Sequence, residues 1–263
     1  MMTVVTTETE LLSTKAPVPP AKHRIFTLRR FTTPIVVAVI LGLLLWWVSS
    51  LQLDSIEQRT LNWQYIARRT GEHLSLTVVA SALVAVLAIP LGVITAKSPS
   101  KVFRAVVLAL ANIGQATPAV GVVILLAILW QTGYTTALVA LVIYAFLPVL
   151  RNTMIGIDQV DANVRESARG MGMTPMQVLT RIELPLAVPV ILAGLRTALV
   201  FCVGVATIAT FINAGGLGDM IVNGLKLQRY PVLVVGAVLV ACIALLIDWV
   251  AGFIEDIVTP RGL

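Results

Sequence analysis

From Leu74 to Ala96 the chain reads LSLTVVASALVAVLAIPLGVITA, without one charged residue. A helix needs roughly 20 predominantly apolar residues to cross the hydrocarbon core of a bilayer, whereas a buried helix of a soluble domain gives a shorter run. This stretch therefore predicts a membrane-spanning helix. Similar runs lie on either side of it, at Pro34 to Leu51, Val102 to Trp130, Thr136 to Leu150, Leu186 to Phe211 and Pro231 to Ile254. Hydrophobic residues make up 58% of the chain and charged residues only 12%, where a soluble domain has about a quarter charged. Mean hydropathy is +0.94. The expected class is an all-α, polytopic membrane protein.

The number of spans turns on the third run, which is long and contains Gln115-Ala116-Thr117-Pro118. It reads as one kinked span or two short ones. With one span there and a cytoplasmic amino terminus, only Arg59, Arg68, Arg69, Lys226 and Arg229 of the 19 Lys and Arg fall outside, and Arg196 lies within a span. Two spans there would expose the basic segment Arg151 to Arg181 externally, against the positive-inside bias. About six spans with both termini inside is the expectation. Trp46, Trp47, Trp130, Tyr134 and Tyr230 then fall near span ends, where aromatic belts sit. The external connection from Leu51 to His73 mixes apolar and charged residues, as an amphipathic helix lying on the outer surface does.

Residues 1–33 form a Pro-, Thr- and Glu-containing tail expected to be disordered and cytoplasmic, and no cleavable signal peptide is evident. The net charge of +6 is scattered between apolar runs rather than gathered in a patch, so no nucleic-acid partner is expected. Cys202 and Cys242 sit inside apolar runs as small hydrophobes. His23 and His73 lack ligand-spaced neighbours, and no metal site is expected.

The cytoplasmic segment 158–185 is the least loop-like of the connections. It includes VDANVRESARGMGMTPMQ, Val160 to Gln177. Asn163 followed by Glu166 is an N-cap signature, and Thr174 with Pro175 and Gln177 is a stronger one. Gly172 between them suits a left-handed residue ending the first helix. Pro185 is expected to close the second helix, whose Met176, Leu179 and Ile182 share a face. A helix–Gly–helix unit with an apolar stripe suits docking into a groove on another protein. A surface helix on the lipid headgroups fits the pattern too, and a DNA-binding helix-turn-helix fits it poorly beside a bilayer.

Glu166-Ser167-Ala168, then Gly172, then Ile182-Glu183-Leu184-Pro185 resembles the EAA motif of the permease subunits of bacterial ABC importers, with Ser167 where that family usually has Ala. The resemblance implies a type I importer (MetI-like) transmembrane domain over 72–257, with the span at 34–51 as an added amino-terminal anchor. It implies coupling to a partner ATPase through Glu166, Ser167, Ala168, Gly172, Met173, Ile182 and Pro185. FLPVLRNT (Phe146 to Thr153), ELPLAVPVILAGLRT (Glu183 to Thr197), AGGLGD (Ala214 to Asp219) and the closing VTPRGL resemble the osmoprotectant branch, which carries glycine betaine, carnitine or choline. The implied partners are two cytoplasmic ATP-binding subunits, a second identical or related permease, an extracytoplasmic substrate-binding protein and the lipid of the cytoplasmic membrane. The chain itself is expected to bind no cofactor, with ATP and Mg on the ATPase, since it lacks GxxxxGK[ST].

Arg196 and Asp248 are the ionisable residues deepest in the spans, and such charges are costly unless paired or facing an aqueous path. A mutual ion pair is expected. Asn112, Gln115, Thr117 and Pro118 bring polar groups to mid-membrane. Pro118 cannot donate to the Gly114 carbonyl, which kinks the helix. These residues are candidates to line a translocation path, with helix–helix hydrogen bonding as their plainer role. A secondary transporter or channel driven by an ion gradient is the rival class. It needs membrane-embedded ion ligands, and Asp248 is the only deep acid.

Overall fold

The computed structural model describes residues 31–258. The amino-terminal tail, His23, Arg261 and the placement of both termini lie outside the described residues. Among those residues every regular element is helical. Helix α1 (Thr32–Ser50) carries the first apolar run, and the short α2 (Ser55–Thr60) follows. Asp54 caps α2 by accepting from the Ile56 and Glu57 N–H groups, while the Glu57 carboxylate takes the Asp54 N–H. The expected surface helix does not run on to His73. Asn62 starts a new helix there, accepting from the Tyr65 N–H, and α3 (Trp63–Lys97) continues unbroken for 35 residues. At about 1.5 Å per residue that exceeds the ~30 Å hydrocarbon core, so its first turns stand outside the membrane.

Helices α4 (Lys101–Ala116) and α5 (Ala119–Leu129) meet at 96°. This is a right-angled break where a kink was expected. Thr117 and Pro118 are both extended, at φ −75°, ψ 136° and φ −55°, ψ 128°, so the helical ladder is interrupted rather than merely bent. Two contacts show that the broken pair crosses instead of returning. Arg104 near the start of α4 bonds Asp158 at 2.5 Å, the last residue of α6 (Tyr134–Asp158), on the side where α3 ends. Tyr134, the first residue of α6, bonds Ser75 at 2.8 Å, towards the start of α3. Among the described residues five further helical stretches are each long and apolar enough to cross a membrane, and the bent pair adds a sixth candidate span.

The segment after α6 forms α7 (Ala162–Gly170), a turn, α8 (Pro175–Val178), a π-helical turn (Leu179–Glu183) and α9 (Leu184–Ala206). Pro185 does not end anything. The Leu184 N–H bonds back five residues to the Leu179 carbonyl, and the π register absorbs the donor that Pro185 lacks. The helix begun at Pro175 thereby becomes the root of the fifth span. A 3₁₀ turn (Ile208–Ile212), α10 (Gly218–Lys226) and α11 (Tyr230–Val258) follow as the last described elements.

The core follows from small residues at helical spacing. Leu76, Ala80, Val84 and Ala88 form one stripe of α3 and pack with Ala137, Leu141, Ala145 and Val149 of α6 and with Ala198 and Cys202 of α9. Close approach fixes this three-helix block. A Cβ on Gly92 would lie 2.7 Å from Thr153 Cβ, one on Gly156 3.1 Å from the Ala187 carbonyl, and one on Gly194 2.7 Å from Asn152 Cβ. Membrane helices pack through such small residues, because lipid supplies no hydrophobic drive between them. Val86, Ile94 and other large side chains remain exposed on the opposite faces, as lipid-facing residues do. Leu44 and Val48 of α1 pack beside Leu217, Met220, Val232 and Val235 of α10 and α11.

Candidate functional site

The helix–turn–helix unit between α6 and α9 is built by local capping. Asp161, not Asn163, caps α7, accepting from the Asn163 N–H at 2.8 Å. The helix so starts ahead of the expected point. At its end the Gly172 N–H bonds the Arg169 carbonyl and the Met173 N–H bonds the Ala168 carbonyl, with Gly172 at φ +85°. This is the paired bonding of a Schellman turn. Thr174 and Gln177 exchange the reciprocal bonds of a capping box, with Pro175 at the helix start. Ala168 and Arg165 face the protein, whereas Glu166 and Ser167 face out. Met173 and Ile182 are half-buried and Pro185 is exposed. Leu179 packs on the cluster around Ile157, Ala187 and Ile191, so it does not share an open face with Met176. The exposed apolar groups are instead Val164, Met171 and Met176, contributed by both arms of the unit. Behind them Glu183, only 1% exposed, accepts from Lys97 Nζ and lies 3.9 Å from Arg165 Nη1. Its place in Ile182-Glu183-Leu184-Pro185, just ahead of the apolar run from Leu186, was the sequence signal of this buried carboxylate.

At mid-membrane the break between α4 and α5 separates the candidate path residues by what they bond. Asn112 donates to the Leu108 carbonyl at 2.8 Å and Thr117 to the Ile113 carbonyl at 2.8 Å, both within their own helix. Gln115 is half-buried, and among the described residues nothing bonds its amide. Gly114 beside it sets the approach to α6, since a Cβ there would lie 2.9 Å from Ile143 Cγ2.

Arg196 of α9 and Asp248 of α11 come together as a two-pronged pair, Nε to Oδ1 at 2.5 Å and Nη2 to Oδ2 at 2.6 Å, with Glu255 at 3.6 Å from Nη1. Two parallel bonds fix the relative rotation of the helices, which a single contact does not. Arg196 borders an apolar cavity of about 300 Å³ walled by Leu192, Leu195, Leu199, Ile247 and Val250.

The end of the bundle opposite the helix–turn–helix unit holds a latch that sequence reasoning missed. Glu72 accepts from Arg68 at 2.9 Å, from Arg69 at 2.8 Å and from the Gly216 N–H at 3.0 Å. Arg69 also bonds Asp219 at 2.6 Å, and Asp219 accepts from the Thr210 hydroxyl. Gly215 and Gly216 take φ of +81° and +91°, with Gly216 against the buried His73 ring. Nε2 of His73 meets the Val203 carbonyl at 3.1 Å. Only glycine reaches that backbone shape without strain, which explains the Gly pair of AGGLGD as a turn seated on α3. Among the described residues no cluster of metal-ligating side chains occurs.

Comparison with known proteins gives a concordant picture. The family described as "Binding-protein-dependent transport system inner membrane component" matches residues 88–261. The glycine betaine/carnitine/choline transport system permease protein OpuCB of Bacillus subtilis is 42% identical over 195 residues, 74% of this chain and 89% of that protein. The osmoprotectant import permease protein OsmW of Salmonella typhimurium is 34% identical over 216 residues, 80% of this chain and 100% of that protein. Among solved structures, a chain of the inward-facing MetNI methionine ABC transporter superposes with a TM-score of 0.65 at 25% identity, covering 74% of this chain and 96% of that one.

Proposed function

Because the chain belongs to the family of binding-protein-dependent transport system inner membrane components, we propose that it is the permease of an ATP-driven importer for an osmoprotectant such as glycine betaine, carnitine or choline. The observation that carries this reading is the cytoplasmic helix–turn–helix, whose second arm is continuous with the fifth span through the π turn. Val164, Met171 and Met176 are open on it beside Glu166 and Ser167. Such a surface suits the cleft of an ATPase subunit. A push on it displaces a helix that crosses the membrane, not a slack loop. In this reading Glu166, Ser167, Ala168, Gly172, Met173, Ile182 and Pro185 form the coupling unit, and ATP with Mg is bound by two partner ATPases. A second permease completes the membrane passage, and an extracytoplasmic binding protein delivers the osmolyte to the outer surface near α10.

The fully methylated nitrogen of such an osmolyte has no hydrogen to donate, so hydrogen-bond acceptors do not hold its cationic end. The path needs weakly polar groups that let the osmolyte leave as readily as it enters. Gln115, with an amide unclaimed among the described residues, meets that description at the break of the third span. The rival ion-gradient carrier would use Asp248 as ligand, yet that carboxylate is engaged on both oxygens by Arg196.

The test is reconstitution. The chain, co-expressed with its neighbouring ATPase and binding protein and placed in liposomes, is expected to take up labelled choline or glycine betaine only with ATP and the binding protein. Uptake driven by a proton or sodium gradient without ATP would overturn the reading.

A further inference from the structure

Glu183 joins the root of α9 to the end of α3, distant in sequence, and to α7. It closes the π turn at the root of α9 and accepts from Lys97, the last residue of α3. Arg165 of α7 stands at 3.9 Å on the same oxygen. The side chains on either side of it in sequence, Leu179 and Leu184, pack on the buried cluster of Ile157, Ala187 and Ile191. A carboxylate so placed contributes little net stability, because desolvation offsets most of its attraction to the partner cations, and an apolar replacement is often as stable. The spans behind it form a block closed by the glycine contacts at Gly92, Gly156 and Gly194. Interiors packed to that degree transmit displacement rather than absorb it. Arg165 is the neighbour of Glu166 in sequence and points to the other side of α7.

We propose that Glu183 is the joint through which movement of the coupling helix α7 reaches the block of α3, α6 and α9. Lys97 holds the carboxylate on the membrane block, while Arg165 engages it from the moving helix at the outer limit of ion-pair distance. A small shift of α7 therefore makes or breaks the Arg165 contact without disturbing Lys97. Glu183 acts as a positioning residue, touching neither ATP nor osmolyte. The proposal rests on the importer reading given above.

The test uses the whole complex in liposomes and reads ATP hydrolysed per osmolyte imported, normalised to assembled complex. Glu183→Gln keeps the shape and removes the charge, and is expected to raise that ratio several-fold at normal assembly. Arg165→Met leaves the Lys97–Glu183 bond in place and decides the matter if Glu183→Gln does not assemble. It too is expected to raise the ratio several-fold. A wild-type ratio in an assembled Glu183→Gln complex, or in Arg165→Met, overturns the joint. A native complex that shows no ATP-dependent uptake refutes the importer reading itself, and the joint falls with it.

Discussion

Gly172 needs to be glycine because of its backbone, not its surroundings. A Cβ built on it meets nothing within 4 Å, yet its φ is +85°, and a left-handed residue with a side chain costs roughly 1–2 kcal/mol. The steric crowding suggested by a turn between two helices is therefore absent, and only the conformational penalty remains. Gly172→Leu is expected to leave membrane insertion and assembly intact while raising ATP hydrolysed per osmolyte. Gly172→Asn, which tolerates the left-handed region better, should stay near wild type. Equal coupling ratios for Leu, Asn and the native residue would remove Gly172 as a pivot. Gln115 makes the complementary case, a polar side chain whose value lies in having no partner among the described residues. Gln115→Leu should lower uptake several-fold per extracted complex, with basal ATP hydrolysis kept. Unchanged normalised uptake, with a less stable complex, would return Gln115 to helix packing. Both glycine and glutamine were legible as candidates, since turn chemistry and a polar group in an apolar run are local signals. Asn112 and Thr117 carried the same signal, but each donates to its own helix. Sequence does not distinguish a side chain bonded to its backbone from one left open.

Helices were legible where their ends are capped locally and misread where continuity depends on register. Thr174, Pro175 and Gln177 formed the expected capping box. Asn163 and Glu166 did not, because Asp161 offers an equally good cap two residues earlier. Pro185 looked like a terminator, yet a π turn carries the chain through it. That choice is made by tertiary packing of Leu179, Leu184 and Ala187 on one cluster, not by propensity. The packing of α9 against α6 supplies a test that separates contact from composition along one helix. A Cβ on Gly194 would lie 2.9 Å from the Pro148 carbonyl, whereas one on Gly204 meets nothing within 4 Å. Gly194→Val is expected to destabilise the extracted protein by about 1–3 kcal/mol, the usual cost of overpacking, read as a lower midpoint of thermal aggregation. Gly204→Val should leave the midpoint unchanged. Similar midpoints for the two variants would mean that α6 and α9 are not packed through Gly194.

Across the whole molecule, the class and the run of spans were legible because hydropathy is additive over a window, and the pairing of Arg196 with Asp248 was legible because both charges stand deep in apolar runs, while the other ion pairs that tie distant elements were not. Lys97 with Glu183, Arg69 with Asp219 and Arg229 with Asp54 each join segments far apart in the chain. The two contacts that settle the crossing of α4 and α5 are of the same kind, and they carry a consequence for every loop downstream. If the pair crosses, the segment around Asp161 and the turn near Lys226 lie on opposite sides, with Asp161 inside by the Lys and Arg bias. If the pair returned to its starting side, both would exchange places and the basic segment Arg151 to Arg181 would stand outside. Cys202 and Cys242 are both buried, so an impermeant thiol reagent meets little background from them. Asp161→Cys and Lys226→Cys, made singly, are expected to behave differently in intact cells. Lys226→Cys should label directly and Asp161→Cys only after the membrane is opened. Labelling of Asp161→Cys from outside would overturn the crossing, and an ATPase in the cytoplasm could then never reach Glu166.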